Sequence, residues 1–165
     1  MRWWRQETPY GSLTVVTGDR GVRRISLPVD DGFVPDGADT FVGTPSSPDR
    51  RVAGELDDWF AARRATLTFA IDLDGLSAFR RTVLETLARE VPWGETVTYG
   101  ELGALVGSPG AARAVGSALR SNPVPFVVPC HRVVAATGIG GYGGRREAVA
   151  LKRMLLDRER ASTPR

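Results

Sequence analysis

The apolar residues of this chain change period several times, and each change marks an element. SLTVVT (12–17) and VRRISL (22–27) flank GDRG, where Gly and Asp accept the positive φ of a tight turn, so the pair predicts a β-hairpin. Val52, Leu56, Trp59 and Phe60 recur at i, i+4, i+7 and i+8, the stripe of an amphipathic helix whose expected start is Ser47–Pro48. TLTFAI (66–71) alternates and reads as another strand. Phe79, Val83 and Leu87 share one helical face, and Pro92 with Gly94 ends that run.

Two shorter helices follow. Thr98 and Glu101, three residues apart, form a capping box for a helix from 99 to about 106 that stops at Gly107. Ser108 with Pro109 at the first helical position predicts a second helix ending before Asn122 and Pro123. Two capped helices joined by a tight Gly-Ser turn have the pattern of a helix-turn-helix. A stripe of Ala148, Leu151 and Leu155 predicts a last helix over 146–158, and the same period carries Glu159 inward, where a carboxylate needs a partner. A frayed helix end with a solvated Glu159 is the alternative.

The segments between these elements divide the chain. Residues 28–48, rich in Pro, Gly, Asp and Ser, read as a long surface loop, and DLDGLS (72–77) is the expected boundary between residues 1–75 and 76–165. The first unit combines sheet and helix and the second is mostly helical, so the expected fold class is α+β. A length of 165 residues suits one domain or two small ones. No apolar run reaches signal-peptide or membrane-span length, and a lone cysteine closes no intramolecular disulfide, so a cytoplasmic protein away from membranes is expected. The net charge of +3 is uneven: residues 1–75 carry 9 Arg against 12 acidic residues, and residues 76–165 carry 13 Lys plus Arg against 7. The basic half suits a polyanion, although a solvated Arg-rich surface accounts for the charge too.

The candidate chemistry lies in VVPCHRVV (127–134), which holds the only cysteine and the only histidine of the chain. Cys130 is either a small buried hydrophobe or a nucleophile, and composition does not choose between them. In extended chain neighbouring side chains face opposite ways, so His131 reaches Cys130 only through a local turn or a bridging water. One Cys and one His fall short of the four nitrogen or sulfur ligands of a structural zinc, so no metal is expected. GIGGYG (138–143) matches a dinucleotide fingerprint, but the 22 residues after Gly143 are too few to complete a βαβ unit, and the glycines read as a turn around Tyr142. The helix after Ser108 is built from Ala111, Ala112, Ala114, Gly116, Ser117 and Ala118, with Arg113 and Arg120 projecting from it. Such small side chains serve either tight core packing or close approach to another surface.

PCHRV (129–133), preceded by RAVGSALRSNPVPFVV (113–128), with VPWGETVTYGEL (91–102) upstream and Gly138, Gly141, Tyr142 and the K-x-x-L-L-x-x-E of Lys152 to Glu159 downstream, resembles the O6-alkylguanine-DNA alkyltransferases. The likeness runs from Phe79 to Glu159, about half the chain, and is looser before it. It implies a DNA repair protein that flips O6-alkylguanine, and less surely O4-alkylthymine, out of the duplex and moves the alkyl group irreversibly to Cys130. A noncatalytic lesion-binding relative is the rival reading, and a cysteine hydrolase a third. The resemblance implies His131 as the base acting through a water, Glu159 as its orienting carboxylate, Tyr99 as proton donor and Asn122 as a hinge. A thiolate is the attacking species, which calls for a lowered thiol pKa.

The same resemblance puts Arg113 in the space that the flipped base vacates. It places Arg80, Gly100, Ser108, Ala112, Gly116, Ser117, Arg120 and Ala136 at the DNA surface, in the minor groove. Pro125, Val133, Tyr142 and Gly143 are the implied walls of the base pocket. It further implies a ribonuclease-H-like N-terminal support unit, a winged-helix-like second unit and no cofactor. The expected partner is double-stranded DNA, bound by a monomer, with cooperative binding left open. Arg80 and Leu84 depart from the family's neutral polar and aromatic residues there, and a bare Gly143 would admit alkyl groups larger than methyl.

Overall fold

A computed structural model of the chain describes residues 1–27, 45–142 and 146–164, and all structural statements concern these. The long loop expected over 28–48 therefore lies mostly outside the described residues, as does Gly143.

The hairpin is present and is part of a larger sheet. Strands β1 (Arg2–Thr8), β2 (Gly11–Gly18) and β3 (Gly21–Ile25) form an antiparallel sheet in that order, with Trp4 opposite Val15 and Val15 opposite Ile25. The sequence reading missed β1, because RWWRQET mixes charge and aromatics without strict alternation. Trp4, Leu13, Val15, Val22 and Ile25 are buried, and the period of two returns once the strand is paired.

Residues 66–71 do not form the expected strand. Their link to the sheet is one parallel bridge between Val22 and Ile71, with Val22 N donating to Ala70 O and Asp72 N to Val22 O, both at 2.8 Å. Gly21 permits this approach: at φ +130° it lies so close that an added Cβ would strike the Ala70 carbonyl.

Helix α1 (Arg50–Phe60) buries the expected Val52, Leu56, Trp59 and Phe60. Its cap is Asp49, whose side chain accepts from Arg51 N and Val52 N, and not the expected Ser47–Pro48. Helix α2 (Ala78–Glu90) is capped by Ser77 and buries Val83, Leu84 and Leu87. After it come β4 (Val97–Thr98) and α3 (Tyr99–Leu105), the latter opened by the expected capping box of Thr98 and Glu101.

Helix α4 (Ala112–Arg120) starts later than Ser108 and Pro109 suggested, with Ala111 at its N-cap position and no side-chain cap. Ser108 instead closes the turn between the helices: its N–H donates to Gly103 O at 2.9 Å and its carbonyl accepts from Ala111 N at 3.1 Å. A single turn of 3-10 helix, Cys130–Arg132, leads into β5 (Val133–Val134), which pairs in parallel with β4. Helix α5 (Arg146–Ala161) completes the chain.

The architecture is α+β, as expected. Apolar side chains from both sides of residue 75 join one continuous core, in which Trp59 and Phe60 of α1 meet Phe126 of the segment before Cys130. Backbone bonds cross the same seam, with Ile25 N donating to Pro123 O at 2.8 Å. No helix among the described residues is long and apolar enough to cross a membrane.

Candidate active site

The VVPCHRVV stretch is neither a plain strand nor a flexible loop. The 3-10 turn lets Cys130 and His131, one residue apart, serve different surroundings. Cys130 is 8 % exposed and lines a cavity of about 160 Å³ together with Tyr99, Gly116, Leu119, Arg120, Gly141 and Tyr142. Three of the lining residues belong to α4, so Cys130 shares the cavity with the short alanine-rich helix. His131 is fully buried behind it.

Asn122 fixes the thiol from the end of α4. Its Nδ2 donates to Val128 O at 2.9 Å and lies 3.2 Å from Cys130 Sγ, while its Oδ1 accepts from Val124 N at 3.0 Å. One amide thus pins both limbs of the bend between α4 and Cys130. Phe126, inside that bend, has φ +75° although it carries a side chain, a strained conformation that its packing must sustain.

Glu159 is 2 % exposed, on the inward stripe that the helical period predicts. Its Oε1 lies 2.7 Å from His131 Nε2 and 3.0 Å from Arg132 Nη2, and its Oε2 accepts from Arg132 Nε at 2.9 Å and from Gly94 N at 3.0 Å. Arg132 also donates through Nη1 to Val91 O at 2.8 Å. Trp93 Nε1 donates to the carbonyls of Glu159 and Ser162, which keeps α5 from fraying there.

Electrostatics follow from this packing. Burial opposes the Glu159 charge, but the hydrogen bond with His131 and the hydrogen bonds and positive charge of Arg132 outweigh it and hold the carboxyl pKa at about 2. Burial lowers the His131 pKa, and Glu159 only partly restores it, so the resting imidazole is neutral. Burial pushes the Cys130 thiol up, and Asn122, Tyr142 and Lys152 pull the other way without reversing it. The expected lowered thiol pKa is therefore not found: the resting pair is a thiol beside a neutral imidazole. Tyr99 is raised by burial and by Cys130, so its phenol keeps its proton at neutral pH.

Lys152 is fully buried behind the turn that carries Gly141 and Tyr142. Its Nζ donates to Val133 O at 2.5 Å and Gly141 O at 2.9 Å, and burial lowers it to about 8. It thereby ties β5 to the turn that carries Tyr142. Gly140, at φ +71°, lets that turn press on the Tyr99 ring, since an added Cβ would lie 3.2 Å from Tyr99 Cε2.

The remaining candidates separate clearly. Arg80, Gly100, Arg113, Ser117, Arg120 and Ala136 are exposed, and Ser108, Ala112 and Gly116 are half-buried. Of the implied pocket walls, Tyr142 lines the cavity, whereas Pro125 and Val133 are buried outside its lining, with Val133 paired to Val97 in the ladder.

Sequence reasoning assigned no role to Arg132, Lys152, Trp93 or Trp59. A signal existed for Lys152, which shares the apolar stripe of Ala148, Leu151 and Leu155, and for Arg132, a cation inside an apolar run.

Fold and site together define an α+β protein that sets one cysteine at the floor of a cavity beside a short helix pair, backed by a buried His–Glu–Arg cluster. Residues 78–161 match the family model described as 6-O-methylguanine DNA methyltransferase, DNA binding domain. A methylated-DNA–protein-cysteine methyltransferase of Mycolicibacterium paratuberculosis is 38% identical over 162 residues, which is 96% of this chain and 92% of that protein. The mouse protein of the same name is 55% identical over 83 residues, 50% of this chain and 38% of its own. Among solved structures, the O6-methylguanine methyltransferase of Mycobacterium tuberculosis superposes with a TM-score of 0.84 at 33% identity, covering 99% of this chain and 94% of that one. OGT of that organism in complex with DNA gives 0.85 at 31% identity, covering 99% and 96%. The chain belongs to the 6-O-methylguanine DNA methyltransferase family.

Proposed function

We propose that this protein repairs alkylated DNA by moving the alkyl group from O6 of guanine to its own Cys130, one group per protein molecule. The observation that carries the reading is the placement of Cys130: in the lining of a cavity beside α4, its sulfur held by Asn122, and backed by His131 and Glu159. The relatives named for cysteine methylation and the neighbour crystallised with DNA support the substrate class.

His131 Nδ1 is buried without a hydrogen-bond partner among the described residues, and its Nε2 is engaged by Glu159. In the reaction Nδ1 takes the Cys130 proton, relayed by a water, and Glu159 stabilises the imidazolium that forms. The sulfur attacks the alkyl carbon, an S–C bond forms and the C–O6 bond breaks. The electron pair stays on guanine, which takes a proton from the Tyr99 hydroxyl; the proton on His131 restores Tyr99, so the proton lost by the thiol balances that gained by the base. The product is an uncharged thioether.

Reaching an O6 substituent requires the nucleotide to leave the stack, at a cost of a few kcal/mol, about the range common to base-flipping enzymes. In this reading the small residues of α4 enter the minor groove, Arg113 fills the gap, and Tyr99, Gly100, Ser108, Ala112, Gly116, Ser117, Arg120, Arg80 and Ala136 flank it. Residues 76–165 act as a winged-helix-like DNA-binding and acceptor unit and residues 1–75 as its support, in a monomeric cytoplasmic protein. The glycine turn at 138–142 then forms the wall on which the base stacks through Tyr142.

Intact-mass measurement after incubation with duplex containing O6-methylguanine tests the proposal. One methyl per chain, absent in Cys130→Ala, is expected. Binding without a mass change would mean a lesion-binding protein instead, and repeated turnover would mean a hydrolase.

A further inference from the structure

The end of α1 touches the acceptor loop on both sides of Cys130. Trp59 lies edge-on to the His131 ring, with centroids 6.0 Å apart at 77°, and packs on Phe126 at 5.3 Å. Phe60 meets Phe126 at 5.1 Å in a T-shaped contact. Phe126 is the residue held at φ +75°, and a strained backbone persists only where its surroundings over-determine it. Arg158 closes the cluster from α5: its guanidinium lies 4.2 Å from the Trp59 ring centroid and donates to Phe60 O at 2.9 Å.

Glu159 grips one ring nitrogen, which leaves rotation about that hydrogen bond to be limited by packing. The Trp59 edge supplies that limit. We propose that Trp59 and Phe60 are positioning residues for alkyl transfer, holding Phe126 and the His131 ring so that the base stays in line with the sulfur; the N-terminal half is thereby part of the catalytic arrangement. The inference rests on the reading of Cys130 as acceptor and His131 as base.

The groups that face the imidazole are Glu159 and Arg158 from α5, Arg132 from its own turn and the uncharged Trp59 from α1. Loosening α1 admits solvent to the ring, and removing Arg158 removes a cation that disfavours its protonated form. Both changes move its titration upward, toward the ordinary histidine value.

The test uses the full-length chain and free O6-benzylguanine, so that DNA contacts play no part. His131 is the only histidine, so its imidazole signals in an NMR titration need no assignment. W59L is expected to slow benzyl transfer by at least about tenfold, as for a reacting group displaced by a fraction of an ångström. W59F, which keeps an aromatic edge, recovers most of the rate. W59L should also move the histidine midpoint upward, with the acid limb of the rate profile following it, whereas W59F leaves both near the parent. If W59L does not fold, F60L takes its place, with a slowing expected from the lost Phe60–Phe126 contact.

A folded W59L or F60L as fast as the parent, or a W59F as slow as W59L, overturns the proposal. A parent chain that takes no benzyl group overturns the acceptor reading instead, so the two failures are distinct.

Discussion

Asn122 Nδ2 lies 3.2 Å from Cys130 Sγ, close enough to donate to the sulfur while the same group donates to Val128 O. The thiol is neutral at rest, so this donor matters most when the proton leaves and the sulfur becomes an anion. A hydrogen bond to a charged group is worth about 1.5–3 kcal/mol, which corresponds to roughly ten- to a hundredfold in rate. Asn122→Leu should therefore slow methyl transfer by that factor. It should also lower the unfolding free energy by about 1–3 kcal/mol, because the Val124 N–H loses its partner and the Val128 carbonyl keeps only the Cys130 N–H. Single-turnover kinetics by mass and urea unfolding check the two effects separately.

Arg132 and Glu159 form a buried pair through two hydrogen bonds, and Glu159 serves His131 at the same time. Arg132→Met leaves the carboxylate with the His131 ring and the Gly94 amide but without its cation, which should destabilise the fold by about 3–5 kcal/mol. Glu159→Gln leaves the Arg132 charge unpaired, at a similar cost. The double variant removes both charges and should be more stable than either single variant, yet no faster than Glu159→Gln, since nothing then stabilises the imidazolium. A thermal-unfolding double-mutant cycle run beside the transfer assay separates structural pairing from catalytic support.

The same cluster makes the fold acid-labile in two stages. His131 has a folded pKa below its unfolded value near 6.5, so as pH falls below that value the unfolded chain takes up a proton that the native chain refuses, and stability drops. Glu159, at about 2 when folded against 4.5 unfolded, contributes stability that is present above 4.5 and lost as pH falls toward 2. Urea midpoints should decline from pH 7 to 5.5 and again below 4.5. Glu159→Gln should make the second decline shallower without removing it, because Glu55, Asp72 and Glu101 are also held below their ordinary values; a parent-like decline in that variant would assign all of it to those carboxylates.

Periodicity exposed most of the elements because their burial is one-sided. Val52, Leu56, Trp59 and Phe60 form a stripe that only a helix explains, and the stripe through Leu155 carries Glu159 inward, where it is buried, so the alternative of a frayed end does not hold. β1 escaped because its two tryptophans are adjacent and the charged Arg2 shares a face with the buried Trp4, which breaks the apolar–polar alternation. The two-residue ladder of β4 and β5 is too short to have a period. Ser108 looked like a cap because Ser-Pro is a helix-start pattern, but its backbone is spent closing the turn onto Gly103.

The site was legible where it is one-dimensional, in the adjacency of Cys130 and His131. Its supports come from Trp59, Trp93 and Arg132, whose distances from one another in sequence carry no pattern. The thiol pKa was misjudged because a reactive sulfur was expected to be ionised at rest, whereas burial keeps it neutral until the base acts.

Arg113 is exposed on α4 and makes no part of the cavity lining, so its removal should leave the thiol chemistry intact. If it fills the stack after the base leaves, Arg113→Ala should slow repair in duplex at least about tenfold, since unstacking costs a few kcal/mol, while transfer from free O6-benzylguanine stays within about twofold. A plain phosphate contact predicts something different: a loss recovered by Arg113→Lys, and a salt dependence of DNA binding that weakens by about one counterion only when the charge is removed. Lysine keeps the charge but not the planar guanidinium that can lie between bases. Arg113→Lys should therefore retain the salt slope and still repair duplex slowly. Equal slowing of Arg113→Ala on duplex and free base would place the residue in the chemistry and refute both roles.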